Sequence, residues 1–432
     1  MRIVKTTEDQ ISSERDSKAT QEVIEKAPPE VAQQLSQGKA VFQPHRAWLP
    51  YQRIALVLQG GGALGAYQAG VYEGLAERGI QPSWVAGISI GALNAAIIAG
   101  NPPAQRVDRL RQFWQTISQP GFFMETPAII QSMVEQWQGD LRRMANGFEA
   151  LRTMIEGQNG FFHPRGWIPL PGIRLPPNKL SFYTTRAMRS TLERFVDFDR
   201  LNSGEMRVSV SAVNVATGNF HVFDTRDRKL RADHFLASAA LPPGLPAIEI
   251  DGAYYWDGGL VSNTPLFPVL MERPRVDTIV FQVDLFSARG RLPEDLIEAE
   301  ARRKDIMFSS RTRATNDYAQ ELSHQRRLMR ELLELIPEAQ RRDNDWCRQA
   351  AEESMVSQYN IINLIYQGKP FEGATREFEF SAVTMRDHWA SGLRDIRQTC
   401  EHPDWFDLPA HGAEYATHDV HRAVNRSANR RA

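Results

Sequence analysis

The chain has 432 residues, 42% hydrophobic and 24% charged, a globular composition that excludes disorder throughout and permits a large core. Lys+Arg (51) and Asp+Glu (52) leave a formal net charge of -1, which excludes the basic excess of a general nucleic-acid binder and offers no broad basic face to anionic membranes. Two cysteines, Cys347 and Cys400, exclude a disulfide-stapled scaffold and a Cys-rich zinc site, and fit a reducing compartment. No apolar core of secretory length opens the chain and no run of about 18 apolar residues follows, so the expected location is cytoplasmic, with any membrane contact peripheral.

In chain order, residues 1–52 form a polar arm with one helix-like patch, Ser17 to Gln37, broken at Pro28-Pro29. Ile54 to Leu58 reads as a buried strand, Gly65 to Arg78 as a helix, Trp84 to Ala86 as a second strand and Ala92 to Gly100 as a small-residue helix. This order begins an α/β layered domain with parallel strands. Helical spacing continues at Val107–Ile117 and up to Ile155. A loop rich in Pro, Gly and aromatics then runs from Gly160 to Gly172. Phe122, Phe123, Phe161, Phe162 and Trp167 are placed either along an acyl channel or lid or in packed core. Arg207–Val213 and Asn219–Phe223 read as strands, Ala232–Ala240 as a short helix, and Ile248–Ile250 with Ala253–Trp256 as a hairpin turning at Asp251-Gly252. Thr278–Val283 is a further strand. Beyond Pro293, Arg302–Ile336 is a helix with one apolar stripe, Phe378–Val383 a last strand, Arg386–Arg397 a last helix, and the tail after Asp419 frays.

Three glycine-bearing segments carry the chemistry. Gly60-Gly61-Gly62-Ala63-Leu64-Gly65 follows the first strand and opens a helix, so its backbone N–H groups face a point where negative charge is stabilised. A pyrophosphate or an oxyanion would suit it, and its spacing satisfies the dinucleotide fingerprint. Gly87-Ile88-Ser89-Ile90-Gly91 is a nucleophile elbow, projecting Ser89 from a sharp strand-to-helix turn. Asp257-Gly258-Gly259 puts a carboxylate at a strand end, where a plain turn is the alternative. A dinucleotide site wants an acid at the end of the second strand, about 20 residues on, to hold the ribose. That strand ends in Gly87 and Ser89 instead, which disfavours the Rossmann reading. The base for Ser89 is either Asp257, forming a dyad, or a later histidine such as His324 or His388, completing a triad.

Together the three motifs resemble those of the patatin-like phospholipases, of the bacterial type with a C-terminal extension of unknown role. The resemblance covers Arg53 to Val283, aided by Gln68–Leu75, Ala237–Ala240 and Asn263-Thr264-Pro265. It implies a three-layer α/β sandwich with a mainly parallel central sheet flanked by helices, followed by a mainly helical extension. It implies a serine acyl hydrolase acting on phospholipid, lysophospholipid or acylglycerol, with no cofactor and no metal. By the resemblance Ser89 is the nucleophile and Asp257 the proton acceptor. Gly60, Gly61, Gly62 and Gly65 form the oxyanion hole, and Gly87, Gly91, Gly258 and Gly259 support the motifs. Many relatives carry Arg where this chain has Leu64. The implied division is an arm (1–52), an acyl-hydrolase domain (53–292), an extension (293–418) and a flexible tail (419–432). A non-catalytic lipid-binding or assembly module on the same fold is the alternative; the oligomeric state is left open.

Overall fold

A run with no polar side chain on either face buries best as a strand covered on both sides, and Ile54-Ala-Leu-Val-Leu58 forms most of β1 (Arg53–Leu58). The computed structural model describes residues 49–118, 133, 137, 139–166, 172, 174–310, 312–355, 357–410 and 414–422. The helix-like patch at Ser17–Gln37, Phe122, Phe123, Trp167 and the chain end lie outside them. In chain order after β1 come α1 (Ala66–Glu77), β2 (Trp84–Gly87), α2 (Ile90–Ala99), α3 (Arg106–Ile117), α4 (Asp140–Glu156), β3 (His163–Pro164), β4 (Tyr183–Thr184) and α5 (Arg186–Phe195). Then follow β5 (Arg207–Asn214), β6 (Phe220–Asp224), α6 (Ala232–Ser238), β7 (Ile248–Ile250), β8 (Ala253–Asp257), α7 (Leu266–Leu270) and β9 (Thr278–Asp284). The extension adds α8 (Leu296–Phe308), α9 (Thr312–Glu334), two short helices, β10 (Tyr359–Ile365), α10 (Ala382–Thr399) and β11 (Tyr415–Asp419).

The main sheet runs β11-β10-β9-β1-β2-β5-β8-β7, with β6 on β5. From β11 to β5 every pairing is parallel; β6, β8 and β7 pair antiparallel. Alternate residues of the central strands enter separate cores. Ile54, Leu56 and Leu58 pack with α1, α2, α3 and α10, while Ala55 and Val57 pack with α7 and Ala319 of α9. This is the expected three-layer α/β sandwich. No helix among the described residues is long and apolar enough to cross a membrane. Both cysteines are free.

The extension departs from expectation in several elements: Arg302–Ile336 is two helices rather than one, and the strands differ. The segment Phe378–Val383 is not a strand. Arg376–Phe378 is a short 3-10 turn, and Ser381 accepts the Thr384 amide with its hydroxyl, which starts α10. The strand is instead Tyr359–Ile365, which lies along β9 in parallel register from Tyr359↔Thr278 to Ile365↔Asp284. The extension is mainly helical, yet it completes the sheet. Its last long helix, α10, crosses α1 at glycine contact distance. A Cβ on Gly70 would stand 2.0 Å from the Trp389 carbonyl, and one on Gly392 2.0 Å from that of Tyr67. Phe161 and Phe162, candidates for a lid, are buried against Phe380 and Tyr183. Of the apolar stripe on α9, Leu333 is buried while Tyr318 and Leu332 stay exposed.

Candidate active site

Register brings Ser89 and Asp257 to one level. Gly87 pairs with Val210 of β5, and Asp257 pairs with Ala212, two residues further along the same strand. Ser89 is two residues past Gly87, so the elbow and the carboxylate meet across the end of β5. The Ser89 hydroxyl is near enough to the Asp257 carboxylate to hold its pKa down, and Asp257 Oδ1 accepts the Gly259 amide at 2.7 Å. Asp257 is 3% exposed. Burial pushes its carboxyl up to about 7, against the lowering effect of those two donors.

Ser89 has φ 54° and ψ −125°, a backbone conformation side chains avoid, and caps α2, whose N-terminus lies beside it. The turn is held by close packing of its glycines. A Cβ on Gly87 would stand 2.5 Å from the Gly91 carbonyl, and one on Gly91 2.4 Å from that of Leu58. Ser238, at the end of α6, accepts the Ser89 amide at 3.0 Å and donates to the Ser211 carbonyl at 2.7 Å. A Cβ on Gly258 would press on that same Ser211 carbonyl, at 2.6 Å.

The glycine loop stands directly over the serine: a Cβ on Gly60 would be 3.1 Å from the Ser89 Cβ. The four loop glycines have different roles. The Gly60 amide already donates to the Asn263 carbonyl at 3.2 Å. Gly65 packs into the core, where a Cβ would lie 2.6 Å from Ile90. Of the four expected oxyanion-hole glycines, the Gly60 amide is thus already engaged and Gly65 faces the core. The Gly61 and Gly62 amides have no acceptor among the described residues. Gly62 has φ +56°, and its missing Cβ leaves room for the Glu377 carbonyl of the extension, which would be 2.3 Å away. Leu64 is wholly buried.

Three holding side chains went unassigned in the sequence. Gln59 accepts the Leu285 and Phe286 amides and donates to Thr264 Oγ1 (2.9 Å) and the Phe308 carbonyl (3.0 Å). Asn263 Nδ2 donates to the carbonyls of Gly60 and Phe308, each at 3.0 Å. Ser238 is the third. Asn263 and Ser238 lie in segments that resemble the family's text; Gln59 carries no sequence signal beyond its place before the glycines. Two of these bonds end on Phe308, the last residue of α8. A second buried acid, Asp284, sits near Gln59. Burial raises it to about 6, against donors Ser310, Gln282 and Thr264, and it does not reach Ser89 in any hydrogen bond.

Neither His324 nor His388 is hydrogen-bonded to Ser89 or Asp257. His388 is fully buried with Nδ1 3.3 Å from the Ala63 carbonyl and Nε2 2.8 Å from Glu372 Oε1. His324 is exposed on α9, beside Arg327. His388 therefore ties the extension to the back of the glycine loop. Among the described residues no group of His, Cys, Asp and Glu is arranged to hold a metal.

Fold and site define a class: α/β proteins in which an elbow serine, a buried carboxylate and a glycine loop converge. Family models match most of the chain, Patatin-like phospholipase over residues 56–270 and Patatin phospholipase over 306–412. The chain belongs to the patatin-like phospholipase family. Lysophospholipase NTE1 of Candida glabrata is 27% identical over 243 residues, 56% of this chain and 11% of that protein. M110.7 of Caenorhabditis elegans, a patatin-like phospholipase domain-containing protein, is 41% identical over 61 residues, 14% of this chain and 6% of that one. The match thus spans at most 11% of the length of these curated relatives. VipD from Legionella pneumophila superposes with a TM-score of 0.33 at 15% identity, covering 81% of this chain and 67% of that one.

Proposed function

We propose that the protein is a serine acyl hydrolase cleaving lipid esters, whether of phospholipid, lysophospholipid or acylglycerol, through an acyl-Ser89 intermediate. The observation that carries this reading is the Ser89 hydroxyl beside a buried carboxylate of raised pKa, next to two unengaged loop amides. Asp257 takes the proton as Ser89 Oγ bonds to the ester carbonyl carbon, and the Gly61 and Gly62 amides stabilise the oxyanion. The C–O bond to the alcohol or lysolipid breaks, and that leaving oxygen takes the proton from Asp257. Water, deprotonated by Asp257, then attacks the acyl-serine and releases the fatty acid, returning the proton to Ser89. The protein is placed in the cytoplasm with peripheral contact to lipid. Residues 53–292 and 293–418 are kept as the hydrolase domain and its extension, flanked by the 1–52 arm and 419–432 tail.

A fluorophosphonate probe tests the reading against a non-catalytic lipid-binding module. Stoichiometric labelling, mapped to Ser89 by peptide mass and absent from Ser89→Ala, is expected; an unlabelled wild-type protein favours the binding module.

The base sets the pH response. Asp257 must be ionised to accept a proton, so kcat/KM for a p-nitrophenyl ester is expected to rise with pH and level off above about 7. A profile still flat down to pH 5 would contradict Asp257 as the base. Gly62→Ala is expected to lower kcat on the order of 10²-fold, because a Cβ both strains φ +56° and pushes the loop off Glu377. Circular dichroism checks that the fold is kept.

A further inference from the structure

Away from Ser89, an open cleft of about 580 Å³ lies between the β3–β4 hairpin, the first turn of α5 and the segment leading into β7. Arg165, Lys179, Arg186 and Arg189 line it. Arg189 is neutralised by Asp233 in the first turn of α6. Arg165, Lys179 and Arg186 have no carboxylate partner within salt-bridge distance among the described residues; Glu249 stands in the opposite wall of the cleft. Near-neutral net charge therefore conceals a local cationic cluster.

The cluster is built rather than incidental. Arg165 Nε donates to Ser181 Oγ at 2.9 Å, and its Nη2 to the Asn178 carbonyl at 3.3 Å. Ser181 is itself buried and donates to the Tyr183 carbonyl at 2.8 Å. The guanidinium is thus held in place, with Nη1 lacking an acceptor among the described residues. Burial and the charge of Arg186 both lower the Arg165 pKa, so the two cations feel each other. Thr185 stands at the N-cap of α5 without capping it, and the Ala187 and Met188 amides have no acceptor among the described residues. Uncompensated cations beside open helix amides raise the energy of the empty cleft, and an anion with several acceptor oxygens lowers it.

The geometry points to a phosphate-group subsite here, taking a phosphate mono- or diester through Arg165, Arg186, Lys179 and the start of α5. A carboxylate offers too few oxygens for three cations and two amides, and the volume leaves room for the esterified body. The ester comes either from a soluble metabolite or from a lipid headgroup. Apolar surface nearby suits the headgroup. Leu180 and Phe182 of the hairpin are exposed, and so are Leu141, Met144, Phe148, Leu151 and Ile155, which form one stripe along α4. Tyr183 joins hairpin to helix by donating to the Met154 carbonyl at 2.5 Å.

The test uses the full chain and reads binding, so it is independent of catalysis. Titration calorimetry with inorganic phosphate and glycerol 3-phosphate is run beside sedimentation with phosphatidylcholine vesicles, with and without phosphatidylglycerol. Arg165→Gln/Arg186→Gln is expected to weaken binding about tenfold or more. Lys179→Gln/Arg186→Gln, which changes only exposed side chains, should act in the same direction. Ser89→Ala should bind as wild type, so a failed hydrolase reading leaves this result standing. Binding of soluble phosphates that depends on the cations identifies a soluble ester; cation-dependent binding confined to phosphatidylglycerol vesicles identifies the headgroup. No binding to any of these, or binding unchanged in both double variants, overturns the subsite.

Discussion

Asp257→Asn is expected to lower kcat for ester hydrolysis by about 10³-fold or more while raising stability above pH 7, two effects of one buried carboxylate. Its carboxyl titrates at about 7 in the folded protein against 3.8 for an ordinary aspartate. Between those values the native state holds a proton that the unfolded state has released. The contribution of this group to stability is therefore fully present below about pH 4 and is lost as pH rises toward and through 7, by an amount on the order of 4 kcal/mol at most. Asparagine keeps an oxygen for the Gly259 amide and carries no charge, so that loss disappears. Thermal melts at pH 8 should show the variant melting above wild type, with p-nitrophenyl ester turnover near background. A variant that melts lower and still turns over ester would sink the dyad. Ser89→Ala should be equally inactive without the stability gain, because Asp257 stays charged.

A chain ending at residue 292 is expected to aggregate and to show no hydrolysis, although it retains Ser89, Asp257 and the whole glycine loop. Without β10, the strand β9 becomes an edge whose seven residues are all buried in the intact protein. Such an edge is a template for pairing between chains. The same cut removes the Phe308 carbonyl from Gln59 and Asn263, the Glu377 carbonyl from Gly62 and His388 from the Ala63 carbonyl. Size-exclusion chromatography and the ester assay check both parts. A soluble, monomeric and active fragment would show that the sheet and the loop hold without the extension.

Much of this was legible beforehand because it is local. Strands buried on both faces show as unbroken apolar runs, and β1 and β9 were read that way. The elbow, the glycine loop and Asp257-Gly258-Gly259 are contiguous, so spacing alone exposed them. Misreadings fell where a distant partner overrides local pattern. Phe378-Glu379-Phe380 alternates like a strand, but the Ser381 cap turns the chain into α10 and Phe380 fills the aromatic core with Phe161 and Phe162. Tyr359–Ile365 needed β9 beside it to become a strand.

By itself the sequence determined the strands and helices that carry the three motifs and the identity of those motifs, since these rest on propensity and spacing within a few residues. Only the tertiary structure decided that the Gly60 amide is engaged, because that depends on the Asn263 carbonyl, brought to the loop from a distant part of the chain. It also decided that His388 braces the loop rather than serving Ser89, and that the extension is part of the sheet. Hydrogen bonds and close contacts between remote segments obey geometry that no local pattern records, and it is β-strand register that brings Asp257 level with Ser89.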